Sequence, residues 1–296
     1  MMSDRSPRPV KAVAAGLLLG LLLAGCGTSS YHYDWGIFAD SILRPDGLIL
    51  TGVWLTLSIA IISQTIGVIL GVFGALAKTA RLRVVRVIGN VYVWLFRGTP
   101  LLVQISFFFY GLSITKLYTW PPITILGFTV PGEIQAGIFA LGVNEGAYMS
   151  EIVRAGILSI DSGQLEAARS LGMTYRKAMR RIILPQAARV IVPPLGNEFN
   201  NMLKTTSLLV VLSVPELYVT FSRKNASGPT VFHPFELFLA AAVWYLLLTT
   251  IWSVIQAWIE RRLGAGFARE RQPGLRDRLF GRSAAPGDLS TGGGTR

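Results

Sequence analysis

Residues 234–259 read PFELFLAAAVWYLLLTTIWSVIQAWI, and after Glu236 no Asp, Glu, Lys or Arg interrupts the run before Glu260. An α-helix rises about 1.5 Å per residue, so about 20 apolar residues cross the hydrocarbon core of a bilayer. The stretch therefore predicts a membrane-spanning helix. The whole chain agrees. Its 296 residues have a mean hydropathy of +0.50, and 15% are charged, against about 25% in soluble domains. A single cysteine, Cys26, excludes an internal disulfide framework or a CxxC metal site, and two histidines, His32 and His233, argue against a His-based metal centre or triad.

Working upstream, further apolar runs fall at residues 190–214, 133–153, 100–115 and within 47–77. Residues 84–96 suggest a short interfacial helix stopped by RGTP (97–100), since Pro100 disfavours helix at the residue before it. Residues 116–132 and 219–235 read as loops. Basic residues choose the orientation. Nineteen fall after the first span, in 154–189 and in the tail, whereas the alternate loops hold four: Arg44, Lys116, Arg223 and Lys224. The positive-inside rule makes the first group cytoplasmic. The expected fold is an all-α integral membrane protein with a five-span core, N-out and C-in. It divides into a leader (1–25), an extracytoplasmic segment (26–46), a transmembrane domain (47–262) with a cytoplasmic loop at 158–186, and a basic, disordered tail (263–296). The net charge of +12 is thus distributed by topology and implies no nucleic-acid partner.

The cytoplasmic segment reads SIDSGQLEAARSLGMTYRKAMRRIILPQAARVIVPP. Asp161 followed by Gln164 suits a capping box, and Gly172 suits a tight turn between two short amphipathic helices, the second ended or kinked by Pro185. Its spacing resembles the EAA loop of ABC-importer permeases. Glu166, Ala167 and Ala168 are followed at the family's intervals by Gly172, then Ile182, Leu184 and Pro185. RGTPLLVQ (97–104), NEGAYMSEIVRAGI (144–157) and KTTSL (204–208) resemble the polar amino-acid, histidine/glutamine-type branch, in which the last stretch often reads KDTSL; here Thr205 stands for that acid. The resemblance runs from about residue 46 to 262. It implies a permease subunit of an ATP-driven importer in a bacterial cytoplasmic membrane, with a separate ATP-binding subunit docked on the EAA loop, an extracytoplasmic solute-binding protein and a second permease copy, identical or different. It also implies that the chain is no enzyme and binds no cofactor itself, ATP and magnesium being held by the partner. The sequence agrees in lacking a phosphate-cradling loop: GALAKT (74–79) has Ala77 where the glycine before the lysine belongs.

The run at 190–214 carries polar residues at helical spacing. Asn197, Asn200 or Asn201, and Lys204 form one stripe; Glu198, Asn201 and Thr205 form an adjoining one. A charge near the bilayer centre costs about 2.5–3.5 kcal/mol on insertion scales, so such groups face partners or wet cavities. Asn197, Glu198, Asn201, Lys204, Thr205 and Glu145 are accordingly read as lining a translocation path; a bracing role for Glu198 and Lys204 near the cytoplasmic mouth is the alternative. Gly67 and Gly71 form a small-xxx-small pair for close helix packing, and Glu151 with Arg154 an i,i+3 ion pair. A secondary transporter or channel is the competing function, but it needs no EAA loop, and no internal repeat is evident. Leu23-Ala24-Gly25-Cys26 resembles a lipobox; cleavage with lipidation at Cys26, an uncut extra helix and a misplaced start all stay open.

Overall fold

A computed structural model describes residues 31–264 apart from Leu126 and Gly228. The leader, Cys26 and residues 265–296 of the tail lie outside the described residues. The described part is predominantly helical. Helix α1 (Trp35–Leu43) is capped by Asp34, whose carboxylate accepts the Gly36 and Ile37 N–H groups. Helix α2 (Gly47–Lys78) starts at Asp46, which accepts from the Ile49 N–H at 3.0 Å and pairs with Lys224. Then come α3 (Arg83–Gly98), α4 (Leu101–Ile114), α5 (Gly132–Leu158), α6 (Ser162–Ser170), a long helical stretch α7 (Tyr175–Leu212), α8 (Leu217–Ala226) and α9 (Pro234–Gly264).

By length and composition, α2 and α9 can each cross a membrane, and so can two bent pairs taken as units: α3 with α4, turned by 104°, and α7 with α8, turned by 46°. Helix α5 is as long as a span but carries Glu133, Glu145, Glu151 and Arg154, and it is the most enclosed helix of the fold.

Two features depart from the sequence expectation, and a third decides between alternatives it left open. The loop at 116–132 contains an antiparallel hairpin, β1 (Ile123–Ile125) and β2 (Phe128–Val130), anchored by Gln135, which donates to the Pro121 and Val130 carbonyls. The region at 219–235 holds α8, whose start is made by a buried acid: Glu216 accepts from the Val219 and Tyr218 N–H groups and from the Tyr245 hydroxyl at 2.7 Å. Pro185 does not end its helix. A π-helical turn at Met179–Ile183 precedes it, with the Leu184 N–H reaching back to the Met179 carbonyl, and this shifted bonding pattern accommodates a residue without an N–H.

The core is a seam between α2 and α5. Gly67, Gly71 and Gly74 meet Glu145, Met149 and Ser150, and a Cβ added at Gly71 would lie 2.9 Å from the Met149 carbonyl carbon. At the basic end, Lys78 pairs with Glu151, which also accepts from Arg154 at 2.8 Å. Ile59, Ile105, Leu141, Phe199 and Leu203 tie α4 and α7 to this seam, while Ile49, Leu217, Phe221 and Leu237 bind α8 and α9 to the opposite end of α2. Gly71→Val is expected to force the seam apart by overpacking, at a cost of about 1–3 kcal/mol. Thermal unfolding in detergent should show a Tm several degrees below wild type; an unchanged Tm would contradict this packing.

Candidate functional site: a loop and a cleft

The loop is built by two caps and a turn. Asp161 starts α6 by accepting from the Gly163 N–H at 2.7 Å, the next residue but one, in place of a reciprocal capping box. Gly172 ends α6 with φ +77, and the Gly172 and Met173 N–H groups bond back to the Arg169 and Ala168 carbonyls. That left-handed geometry favours glycine. Thr174 then caps the start of α7. Glu166, Ala167 and Gly172 stand exposed with Leu171, Ala168 is buried, Ile182 is half-buried, and Leu184 and Pro185 are exposed beyond the π-helical turn. The exposed surface of the loop thus combines Glu166 and Ala167 with Asp161, Arg169 and Leu171.

The second feature is a cleft of about 580 Å³ between the α3–α4 bend, α5 and α7. Arg97 to Leu101 supply one wall, Leu141, Asn144, Glu145 and Tyr148 the second, and Glu198, Asn201, Met202 and Thr205 the third. Two buried amides fix the bend. The Gln104 side chain donates to the Phe96 carbonyl (2.8 Å), the Thr99 carbonyl (3.1 Å) and the Thr99 hydroxyl (2.7 Å). Asn144 donates to the Phe96 carbonyl and to the Gln104 side-chain oxygen, both at 2.9 Å. Helix α3 would otherwise end in bare carbonyls. Beside this knot, Glu145 accepts from the Gln64 amide at 3.2 Å and is 6% exposed. The Arg97 guanidinium sits 5.1 Å from the centre of the Tyr148 ring, within cation–π range.

Of the residues read from sequence as a path, Glu145, Glu198, Asn201 and Thr205 meet in this cleft, and two do not join them. Asn197 turns to α9, where its side-chain oxygen accepts from Gln256 at 3.1 Å. Lys204 lies in a separate crevice between α7, α8 and α9. Sequence reasoning did not single out Arg97, Thr99, Asn144, Tyr148 or Met202 as site residues. Most of them lie in the RGTPLLVQ and NEGAYMSE stretches, where polar residues within or beside apolar runs, next to Pro100 in the first, were the available signal.

A family model described as a binding-protein-dependent transport system inner membrane component matches residues 65–265. The chain is similar to the arginine transport system permease protein ArgU of Corynebacterium glutamicum, with 35% identity over 285 residues that cover 90% of this chain and 87% of that protein. It is also similar to the L-cystine transport system permease protein TcyB of Bacillus subtilis, with 37% identity over 212 residues covering 72% and 85%. Among solved structures, an amino acid ABC transporter crystallised with histidines superposes with a TM-score of 0.63 at 37% identity, over 73% of this chain and 94% of that one.

Gln104→Leu is expected to leave the Thr99 carbonyl and the Asn144 amide short of partners, at about 1–3 kcal/mol for each buried group stranded. A lowered Tm in detergent, larger than that of an exposed control such as Gln164→Leu, checks this; equal Tm values would dissociate the bend from these amides.

Proposed function

The chain belongs to the family of binding-protein-dependent transport system inner membrane components, and from that premise we propose how this permease of an amino-acid ABC importer is built and coupled. The core crosses the membrane five times, N-out and C-in: α2, the α3–α4 pair, α5, the α7–α8 pair and α9. The excess of basic residues at Lys78–Arg86, in 154–189 and after Glu260 supports this orientation, and α5, too charged to pass alone, is sheathed by α2 and α7. The membrane is the bacterial cytoplasmic one.

A separate ATP-binding subunit seats the loop of Glu166, Ala167, Ala168 and Gly172, with Ile182, Leu184 and Pro185 carrying its motion into α7. That subunit holds ATP and magnesium, and this chain contributes no catalytic group. A solute-binding protein delivers the amino acid at the opposite face, and a second permease copy completes the assembly.

The translocation path runs through the cleft, and the observation that carries this reading is the pair of carboxylates, Glu145 and Glu198, on its walls with Asn201 and Thr205. An amino acid brings an ammonium for which these carboxylates are counter-charges, and Arg97 at the α3–α4 bend offers one to its carboxylate. Such charge-assisted hydrogen bonds contribute about 1.5–3 kcal/mol each. The arginine and cystine assignments of the relatives agree with a substrate that is polar and zwitterionic.

Co-reconstitution of this chain with its ATPase and binding protein in vesicles tests the reading. Glu198→Gln should lower ATP-driven amino-acid uptake by about ten- to a hundredfold, the loss of one such bond, while the ATPase still co-purifies. Glu166→Arg should abolish that co-purification. Wild-type uptake in Glu198→Gln would remove the cleft from the path, and uptake that continues without the ATPase would favour a secondary transporter.

A further inference from the structure

Between the loop and the cleft, α7 passes through two consecutive prolines, Pro193 and Pro194. Two residues without an N–H remove two hydrogen bonds from this turn, and a helix bends most readily at such a place. Helix α9 takes hold of α7 immediately beyond it. The buried Gln256 amide reaches the Pro193 carbonyl (3.2 Å), the Asn197 side-chain oxygen (3.1 Å) and Glu260 of its own helix (2.8 Å), so its two N–H groups serve three acceptors. The Trp252 indole donates to the Gly196 carbonyl at 2.7 Å, and its ring centre lies 4.3 Å from that of Phe199. Gly196 permits this approach, since a Cβ there would lie 2.5 Å from the Gln256 Cδ.

On the loop side of this grip the two helices part. A cavity of about 1000 Å³ opens between Gln186 and Val190 of α7, Ala257 and Glu260 of α9, and Asp161 and Gln164 of the loop. Here α7 is held by α5 instead, where Ile191 fits against Gly156 near the end of α5. The loop joins these same two helices, so this part of α7 moves with the loop and not with α9. On the far side of the grip, Glu198 follows Asn197 directly and lines the cleft. A soft turn, a grip by one neighbour next to it and open space beside the ungripped arm are the parts of a pivot.

We propose that Gln256 is a positioning residue for coupling. With Trp252 it keeps the Gly196–Asn197 turn against α9 as a fulcrum. When the ATP-binding subunit closes, the loop-side arm of α7 swings into the cavity, and the turn passes that motion to Glu198 as a rotation within the cleft. Gln256 holds one acceptor while it exchanges another, so the grip persists through the swing. This role rests on the loop and the cleft acting as proposed above.

The test uses the complete complex with its ATPase and binding protein, and it has two readouts. Spin labels at Val190→Cys and Leu263→Cys, made in a Cys26→Ser background, stand on the α7 and α9 sides of the cavity. Their separation should shorten when ATP is bound and hydrolysis is blocked. In vesicles, Gln256→Leu should lower the amino acid imported per ATP hydrolysed about tenfold, the equivalent of one hydrogen bond, while the ATPase still co-purifies. A residue that only held the fold together would lower uptake and hydrolysis in step and leave that ratio unchanged. Trp252→Phe, which keeps a ring and removes the donor to Gly196, should lower the ratio in the same direction and carries the test should Gln256→Leu not assemble. An unchanged label separation, or a wild-type ratio in the assembled variants, would overturn the proposal. The separation is read without substrate, so it stands apart from whether the amino acid uses the cleft, which uptake by Glu198→Gln decides.

Discussion

A polypeptide inside a bilayer must satisfy its backbone polar groups internally, because no water reaches them there. The break between α3 and α4 is where this constraint bears hardest. A proline ends one helix, the chain turns by 104°, and the carbonyls of Phe96 and Thr99 lose their helical partners. Gln104 and Asn144 supply the missing donors and bond to each other, so a hydrogen-bonded knot stands where an open helix end would be. Because Asn144 is followed directly by Glu145, the residues that close the bend also set a carboxylate on the cleft wall. The cleft exists because the bend exists, and the bend is tolerable because of two buried amides.

The rest of the core serves to hold that arrangement in place. The glycine ridge of α2 lets α5 come close enough for Gln64 to reach Glu145, and Lys78 with Glu151 and Arg154 pins the same pair of helices at the basic end. Helix α7 then serves three neighbours at once. One face carries Glu198, Asn201 and Thr205 into the cleft, a second sets Asn197 against Gln256 of α9, and a third turns Lys204 into the crevice. The same helix begins just after the Gly172 turn of the loop, so a displacement of the loop has a continuous helical route to the cleft wall.

Much of this was legible in the residues. The apolar runs at 47–77 and 234–259 are long enough to dictate helices in any context, and Gly172 stands where the loop turns with a positive φ. What escaped the sequence depended on tertiary partners. RGTP reads as a stop and α3 does end there, but the groups that close this end were not legible, because they come partly from another helix. Helix α8 looked like a polar loop because its stabilising acid, Glu216, is buried by packing with α9. Pro185 could have ended or kinked its helix on sequence alone, because a single residue type cannot announce the π-helical turn that accommodates it. Asn197 and Lys204 share helical spacing with the cleft residues, but successive helical residues rotate by about 100°, and only the neighbouring helices decide which stripe faces which space.

The central claim is that the cleft beside this bend is the route the amino acid takes. Its most direct measurement is thiol labelling of an Asn201→Cys variant, made in a Cys26→Ser background, in the complete complex with its ATPase and binding protein. A small polar thiol reagent should modify position 201, and the transported amino acid should slow the reaction in proportion to its occupancy. A position that reacts at the same rate whether or not substrate is present, while transport proceeds normally, would show that the substrate passes elsewhere.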